Sequence, residues 1–247
     1  MLIIWIVFFS LLGSVGAILA AAGFLLLPGK IQNVISPCLI AYATGSLLAA
    51  ALLGLIVDAL TRLAPRQTLS TVLGGILLFF FLEKLVIWWR SHYSECEVHS
   101  TAGPMLLIGD AFHNATDGMV IATSFLASIP MGIAVALSVI AHEIAQEVGD
   151  FAILLHSGYS KRKALWLNIL SGLSTIPTAI LTYYALSLLQ TVIPYVMAFS
   201  AASFLYIALT DLFPELHRKV EFRYILRQLL LVLTGIGTLV FFLQFHP

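Results

Sequence analysis

Two short runs hold most of the chemistry available to this chain: His113-Asn114-Ala115-Thr116-Asp117-Gly118 and His142-Glu143-Ile144-Ala145-Gln146-Glu147-Val148-Gly149-Asp150. Imidazole nitrogens and carboxylate oxygens can ligate divalent metals, pass protons, or tie packed helices together by hydrogen bonds. Both runs lie in the middle of apolar segments long enough to cross a bilayer. Charged and imidazole groups are costly there, so a cluster of them marks a functional site.

At 100° per residue, Asp110, His113, Asn114 and Asp117 share a stripe of about 100° on the first segment. His142, Glu143, Gln146, Glu147 and Asp150 share a stripe of about 140° on the second. Only Ser128, Ile129 and Pro130 or so join the two segments, which makes them antiparallel neighbours. Counting ~1.5 Å per residue from ends near 103 and 156 sets His113 level with Gln146. The same count sets Asp117 level with His142 and Glu143, and Asp110 level with Asp150. The cost of facing lipid requires the two stripes to face each other.

That cost has a scale. An acid at a helix centre costs about 2.5–3.5 kcal/mol, so five acids, with Glu treated like Asp, cost on the order of 12–18 kcal/mol without partners. No Lys or Arg lies in either segment. Protons or metal ions must therefore neutralise the acids. Two neutral imidazoles with carboxylate oxygens suit borderline divalent ions such as Zn²⁺, Fe²⁺ or Mn²⁺, and no thiolate is present in the runs to demand a softer ion. Asp117 lies beside both the His113 and the Glu143 groups and is placed to bridge two adjacent ions. Three other readings stay open. The groups could form a metal-free proton relay or a structural hydrogen-bond network. His142-Glu143 also opens like the His-Glu-x-x-His zinc hydrolase motif, whose second His completes the metal pair. Gln146 stands at that position, so the hydrolase ligand set is broken.

Composition fixes the elements that must position these groups. The chain has 247 residues, 60% hydrophobic and only 10% charged, against about 25% charged in soluble domains. With a mean hydropathy of +1.03, it reads as an all-α polytopic membrane protein forming one transmembrane domain over 1–247. Eight spans are expected, at about 2–27, 37–60, 69–90, 103–127, 131–156, 164–189, 192–213 and 224–245. The first reads as a span rather than a removed signal peptide, since no basic n-region or small-residue cleavage site accompanies it. Alternate loops hold Lys30, Arg90, Lys161, Arg162, Lys163, Arg218, Lys219 and Arg223, and the opposite side holds only Arg62 and Arg66. The positive-inside rule then puts both termini on the non-cytoplasmic side.

A weak internal repeat, with coincidence between two Leu/Ala-rich helices as the alternative, accompanies this pattern. A shift of 157 positions aligns Ser46, Leu48, Ala51, Leu52 and Leu55 with Ser203, Leu205, Ala208, Leu209 and Leu212, and sets Asp58 against Glu215. The two helices would cross in opposite directions, which predicts an inverted repeat of helices 1–3 and 6–8 around the pair 4–5.

The ordered pair of motifs resembles the ZIP (Zrt-, Irt-like) family of divalent metal transporters, specifically its bacterial GufA-like members. A third match is the run Leu209-Thr210-Asp211-Leu212-Phe213-Pro214-Glu215-Leu216-His217. The resemblance covers nearly the whole chain. It implies a binuclear mid-membrane site with His113, Asn114 and Asp117 as ligands from the fourth helix. His142, Glu143 and Gln146 would ligate from the fifth, with Glu147 adjacent. It further implies movement of metal into the cytoplasm by an elevator-like or rocking change, in a bacterial inner (plasma) membrane, with no prosthetic group. Zinc suits the donor set best, with Fe²⁺, Mn²⁺ and Cd²⁺ as competitors. No ATP-binding motif is present, so gradients would drive the flux.

The chain departs from the family pattern at several positions. Ala145 stands where the family often has Pro, and Gln146 where many members have His or Glu. Gly54, Val57 and Asp58 replace a His-x-x-Pro-Glu-like run on the second helix, leaving only Asp58 to carry over. Asn168 and Ser171 are candidates for a sixth-helix ligand.

Peripheral groups are less specific. The run His92-Tyr93-Ser94-Glu95-Cys96-Glu97-Val98-His99 reads first as a solvated cytoplasmic loop, with weak metal capture through His92, Cys96 and His99 as the functional alternative. Asp211, Glu215 and His217 could line an exit or simply cap a helix, and His246 reads as incidental. Two cysteines, Cys38 and Cys96, are too few for a disulfide framework. Zero net charge gives no case for nucleic acid as a partner. The expected partners are divalent ions and the lipid bilayer. Gly13, Gly16 and Ala20 offer a small-residue stripe for a homodimer.

Overall fold

The computed structural model describes residues 1–93, 102–156, 158–217 and 222–244. Eight long helical elements account for nearly all of them, and no strand occurs among the described residues. They are α1 (Leu2–Phe24), α2 (Gly29–Arg62), α3 (Pro65–Tyr93), α4 (Ala102–Ala127) and α5 (Ile129–His156). After these come α6, in two halves (Lys161–Gly172 and Thr175–Leu188), then α7 (Ile193–Leu216) and α8 (Phe222–Leu243). Seven of the eight are long and apolar enough to cross a membrane; α4 has the length, at 26 residues, but carries Asp110, His113, Asn114 and Asp117. The all-α polytopic architecture is therefore as expected.

Local chemistry explains the boundaries. Ser128 alone separates α4 from α5, and its hydroxyl accepts from the Met131 amide at 3.2 Å, an N-cap with Pro130 in the first turn. Ser160 caps α6 in the same way through Lys163. The α6 break falls where Pro177 has no N–H to give to the Leu173 carbonyl. The carbonyls at the end of α1 accept from the Gln32 side chain, at 2.9 Å for Leu27 and 3.2 Å for Leu25. One boundary differs from expectation: α2 begins at Gly29 rather than near 37 and runs through Pro37. A single proline deletes one donor, and the 34-residue element tolerates the loss. Ala145, where a proline kink was in question, lies inside the uninterrupted α5.

The packing scheme has a two-fold pattern. Exchanging α1 with α6, α2 with α7, α3 with α8 and α4 with α5 leaves the principal contacts unchanged. Thus α2 packs on α8 as α7 does on α3, α2 on α5 as α7 on α4, and α1 on α5 as α6 on α4. Side-chain detail follows the 157-residue shift. Ala51 and Ala208 are buried, whereas Leu52 and Leu209 are exposed at 48% and 54%. Both helices carry a π-helical turn in the same place, at Ala50–Leu55 and Ala208–Leu212. Gly45 meets the Val232 backbone where α2 crosses α8; its repeat mate Ala202 meets Gly75 where α7 crosses α3. A Cβ on Gly45 would collide with the Val232 carbonyl, so the close crossing requires glycine.

The core runs through α2, α4, α5 and α7, with Leu47, Leu55, Ile121, Phe125, Met131, Val139, Met197 and Phe204 fully buried. In the apolar window of α2, 67% of residues are buried, against 11% in α8 and 17% in α3. Those outer helices turn leucines and phenylalanines outward, as lipid-facing helices do. Gly13, expected to serve a homodimer, is buried within the chain against Val139 and Ile121, so it makes no case for one.

Candidate metal centre

Antiparallel α4 and α5 bring their polar stripes face to face, as the cost of exposing them to lipid demands. His113, Asp117, His142 and Glu143 each present a ligand atom, all within 4.8 Å of one another. His142 Nε2 lies 3.1 Å from Asp117 Oδ2 and 3.6 Å from Glu143 Oε1. His113 Nε2 lies 3.2 Å from Glu143 Oε1, 3.9 Å from Asp117 Oδ2 and 3.1 Å from His142 Nε2. The His113 side chain keeps 16% exposure and the other three keep 1% each.

The helix itself orients one ring. His142 Nδ1 lies 3.1 Å from the Ser138 carbonyl, one turn earlier. A carbonyl only accepts, so Nδ1 carries the proton, and a neutral ring then presents its Nε2 lone pair to the cluster. Fixing the second nitrogen in this way is how proteins hold a metal-ligating histidine. None of the four carboxylate oxygens of Asp117 and Glu143 has a hydrogen-bond partner among the described residues, although all are buried. Buried carboxylates facing imidazole lone pairs repel one another unless a cation or proton lies between them. The donor set of two nitrogens and two carboxylates fits a divalent ion such as Zn²⁺.

Beside this group lies a hydrogen-bonded layer centred on Asp110. Its carboxylate accepts from Asn114 Nδ2 at 2.9 Å, Gln146 Nε2 at 3.2 Å and the Ser171 hydroxyl at 2.5 Å. Thr175 on α6 donates to Asn114 Oδ1 at 3.0 Å. Gly118 permits that approach, because a Cβ there would strike the Thr175 carbonyl. The structure thus collects His113, Asp117, His142 and Glu143 into one cluster and gives Asn114 and Gln146 to the Asp110 layer. Glu147 is fully buried, with Asn168 of α6 and the carboxylates of Asp110, Glu143 and Asp150 as its neighbours.

The rung order differs from the sequence count in two places. His113 meets His142 and Glu143 rather than Gln146, and Asp110 meets Gln146 rather than Asp150. Toward Asp110 the register is about one turn tighter, because counting residues assumes parallel axes and crossing helices drift apart in register. Thr175 was the polar partner missed by sequence reading. Its signal is its position seven residues after Asn168, on the polar face with Ser171 that a helical wheel draws. The loop His92–His99 lies largely outside the described residues, as does the side chain of Asp211.

The family model described as ZIP Zinc transporter matches residues 90–243, which takes in α4 through α8. Zinc transporter ZIP13 of Pongo abelii is 35% identical over 177 residues, covering 70% of this chain and 52% of that protein. Zinc transporter zipt-7.2 of Caenorhabditis elegans is 35% identical over 134 residues, 53% of this chain and 29% of that protein. Zinc transporter ZIP4 of Homo sapiens is 38% identical over 112 residues, 45% of this chain and 17% of that protein. The chain spans about half the length of these curated relatives, or less. A family model that covers more than half of the chain, including both polar runs, places it by descent: this chain belongs to the ZIP zinc transporter family.

Proposed function

We propose that this chain carries divalent metal, zinc foremost, across a lipid bilayer into the cytoplasm as a single transmembrane domain. The observation that carries the reading is the convergence of two imidazole nitrogens and two unpartnered carboxylates, deep between α4 and α5, with no lysine or arginine on either polar stripe. One ion is held by His113, Asp117, His142 and Glu143. A second, adjacent ion shares Glu143 and takes amide oxygens from Asn114 and Gln146, with Glu147 next in line. This moves the bridging role from Asp117, whose neighbours are His113, His142 and Glu143, to Glu143. Nitrogen, carboxylate and amide donors bind a borderline ion firmly enough to strip its water, yet less firmly than an all-thiolate cage, so the ion can leave again. Flux follows the gradients across the membrane, and both ends of this chain face away from the cytoplasm. The His142-Glu143 pair serves as ligands rather than as the base of a hydrolase, in keeping with membership of a transporter family.

Radiolabelled Zn²⁺ uptake into proteoliposomes tests this directly. Wild-type protein should give saturable uptake, lost in the double variant His113→Ala/His142→Ala, with Fe²⁺, Mn²⁺ and Cd²⁺ competing according to their fit. Sealed vesicles in which wild-type protein binds metal but moves none would overturn the transport reading.

A further inference from the structure

Asp110 stands outside the four-residue cluster, yet side chains from α4, α5 and α6 all donate to it. It is 4% exposed. Asn114 Nδ2 and Gln146 Nε2 both donate to its Oδ1, and the Ser171 hydroxyl holds Oδ2 from the α6 side. The Asn114 nitrogen makes a second bond to the Asp110 backbone carbonyl, at 3.2 Å, so residue 110 takes both of its protons.

A buried carboxylate tied into three helices could be a structural knot and nothing more. The identity of its partners argues for a narrower task. Two of them are the amides read above as ligands of the second ion, and an amide has a right end and a wrong end. Its oxygen has lone pairs to give to a cation, whereas its nitrogen carries two protons and only donates. The two ends are nearly equal in size, so packing cannot choose between them and hydrogen bonding must. A carboxylate has no proton to give and accepts from the nitrogen end alone. Asp110 therefore draws both nitrogens to itself and turns both oxygens away. Thr175 supports the same setting from α6. Its hydroxyl donates to Asn114 Oδ1 at 3.0 Å and leaves that oxygen a second lone pair.

We propose that Asp110 is a positioning residue of the metal centre: it fixes the amides of Asn114 and Gln146 so that oxygen, not nitrogen, is the end available to the ion. Asp110 itself ligates nothing. The inference rests on the ligand set proposed above and deepens it, and it gives a buried acid outside that set its reason to be on the polar stripe.

Zn²⁺ titration of detergent-purified full-length protein tests this, with Asp110→Asn as the first variant. Asparagine keeps the size of Asp110 but presents a nitrogen of its own, so an amide facing it must turn over. Losing the outer partner of a metal ligand costs about 10–100-fold in affinity, and a drop of that order is expected. Nuclear magnetic resonance of protein labelled with ¹⁵N at glutamine reads the orientation without metal. The Gln146 side-chain amide, identified by its absence from Gln146→Ala, should lie downfield in the wild type and move upfield in Asp110→Asn. The exchange Asp110→Asn/Gln146→Glu should regain most of the lost affinity, because glutamate has no wrong end and the new asparagine can donate to it. A merely structural knot would not be repaired in that way. Wild-type affinity in Asp110→Asn, an unmoved Gln146 resonance, or an exchange variant no tighter than Asp110→Asn would overturn the positioning role. If Asn114→Ala/Gln146→Ala binds Zn²⁺ like the wild type, the amides leave the ligand set and the inference falls with them. Transport is read in none of these arms, so a failure of Zn²⁺ uptake counts against the transport reading alone.

Discussion

At the scale of single residues, the centre depends on which atoms have somewhere to place their charge. Asp117 is fully buried, its oxygens are unpartnered, and it lies 3.1 Å from the His142 ring. Asp117→Ala should therefore abolish saturable Zn²⁺ uptake while the protein still elutes as a monodisperse species in detergent. Uptake at wild-type levels would remove Asp117 from the ligand set. Protons compete with metal for both imidazole nitrogens and for the carboxylates, and metal binding releases them. Zinc affinity, measured by titration across a pH series, should consequently fall as the medium is made acid and recover as it is made neutral. A flat profile would argue that neither histidine nor carboxylate holds the ion.

At the scale of the helices, glycine decides how near the polar layers come. Gly118 lets α6 approach α4 until Thr175 reaches Asn114. Gly118→Ala should push the helices apart, cost about 1–3 kcal/mol as an overpacking change, and lower the thermal midpoint in detergent. Zinc uptake should fall with it, since the Asp110–Asn114–Thr175 layer backs the centre. An unchanged midpoint would mean that α6 gives way without strain. Much at this scale was legible in the chain. The 157-residue shift predicted an inverted repeat, and α2 and α7 do match in burial at Ala51/Ala208 and Leu52/Leu209 and each carry a π-helical turn. The start of α2 was not legible, since Pro37 mimics a boundary that tertiary packing overrides.

At the scale of the whole molecule, the basic residues set orientation. The orientation proposed above puts Lys161, Arg162 and Lys163 on the cytoplasmic side and Arg66 on the other, and single cysteines test it in a variant without Cys38 and Cys96. In intact cells an impermeant maleimide should label Gln67→Cys at once, and Lys161→Cys only after permeabilisation. The reverse pattern would invert the topology and, with it, the direction assigned to metal flow. The exchange pattern of α1–α3 with α6–α8 leaves α4 and α5 packed on both halves.

The sequence by itself determined the all-helical membrane class, the two polar stripes and the type of ion they suit. Hydropathy and the 3.6-residue period are local properties of the chain, and the cost of exposing acids to lipid leaves the stripes only one direction to face. Tertiary structure alone decided which rungs meet. It set Asp110 against Gln146 instead of Asp150, drew Asn114 toward Thr175, and brought Asn168 from α6 against Glu147. Those pairings depend on crossing angles and on close approach at glycines such as Gly118, whose partner helix begins more than forty residues further along the chain. No local period encodes an approach between segments so far apart, because it exists only once both helices are packed.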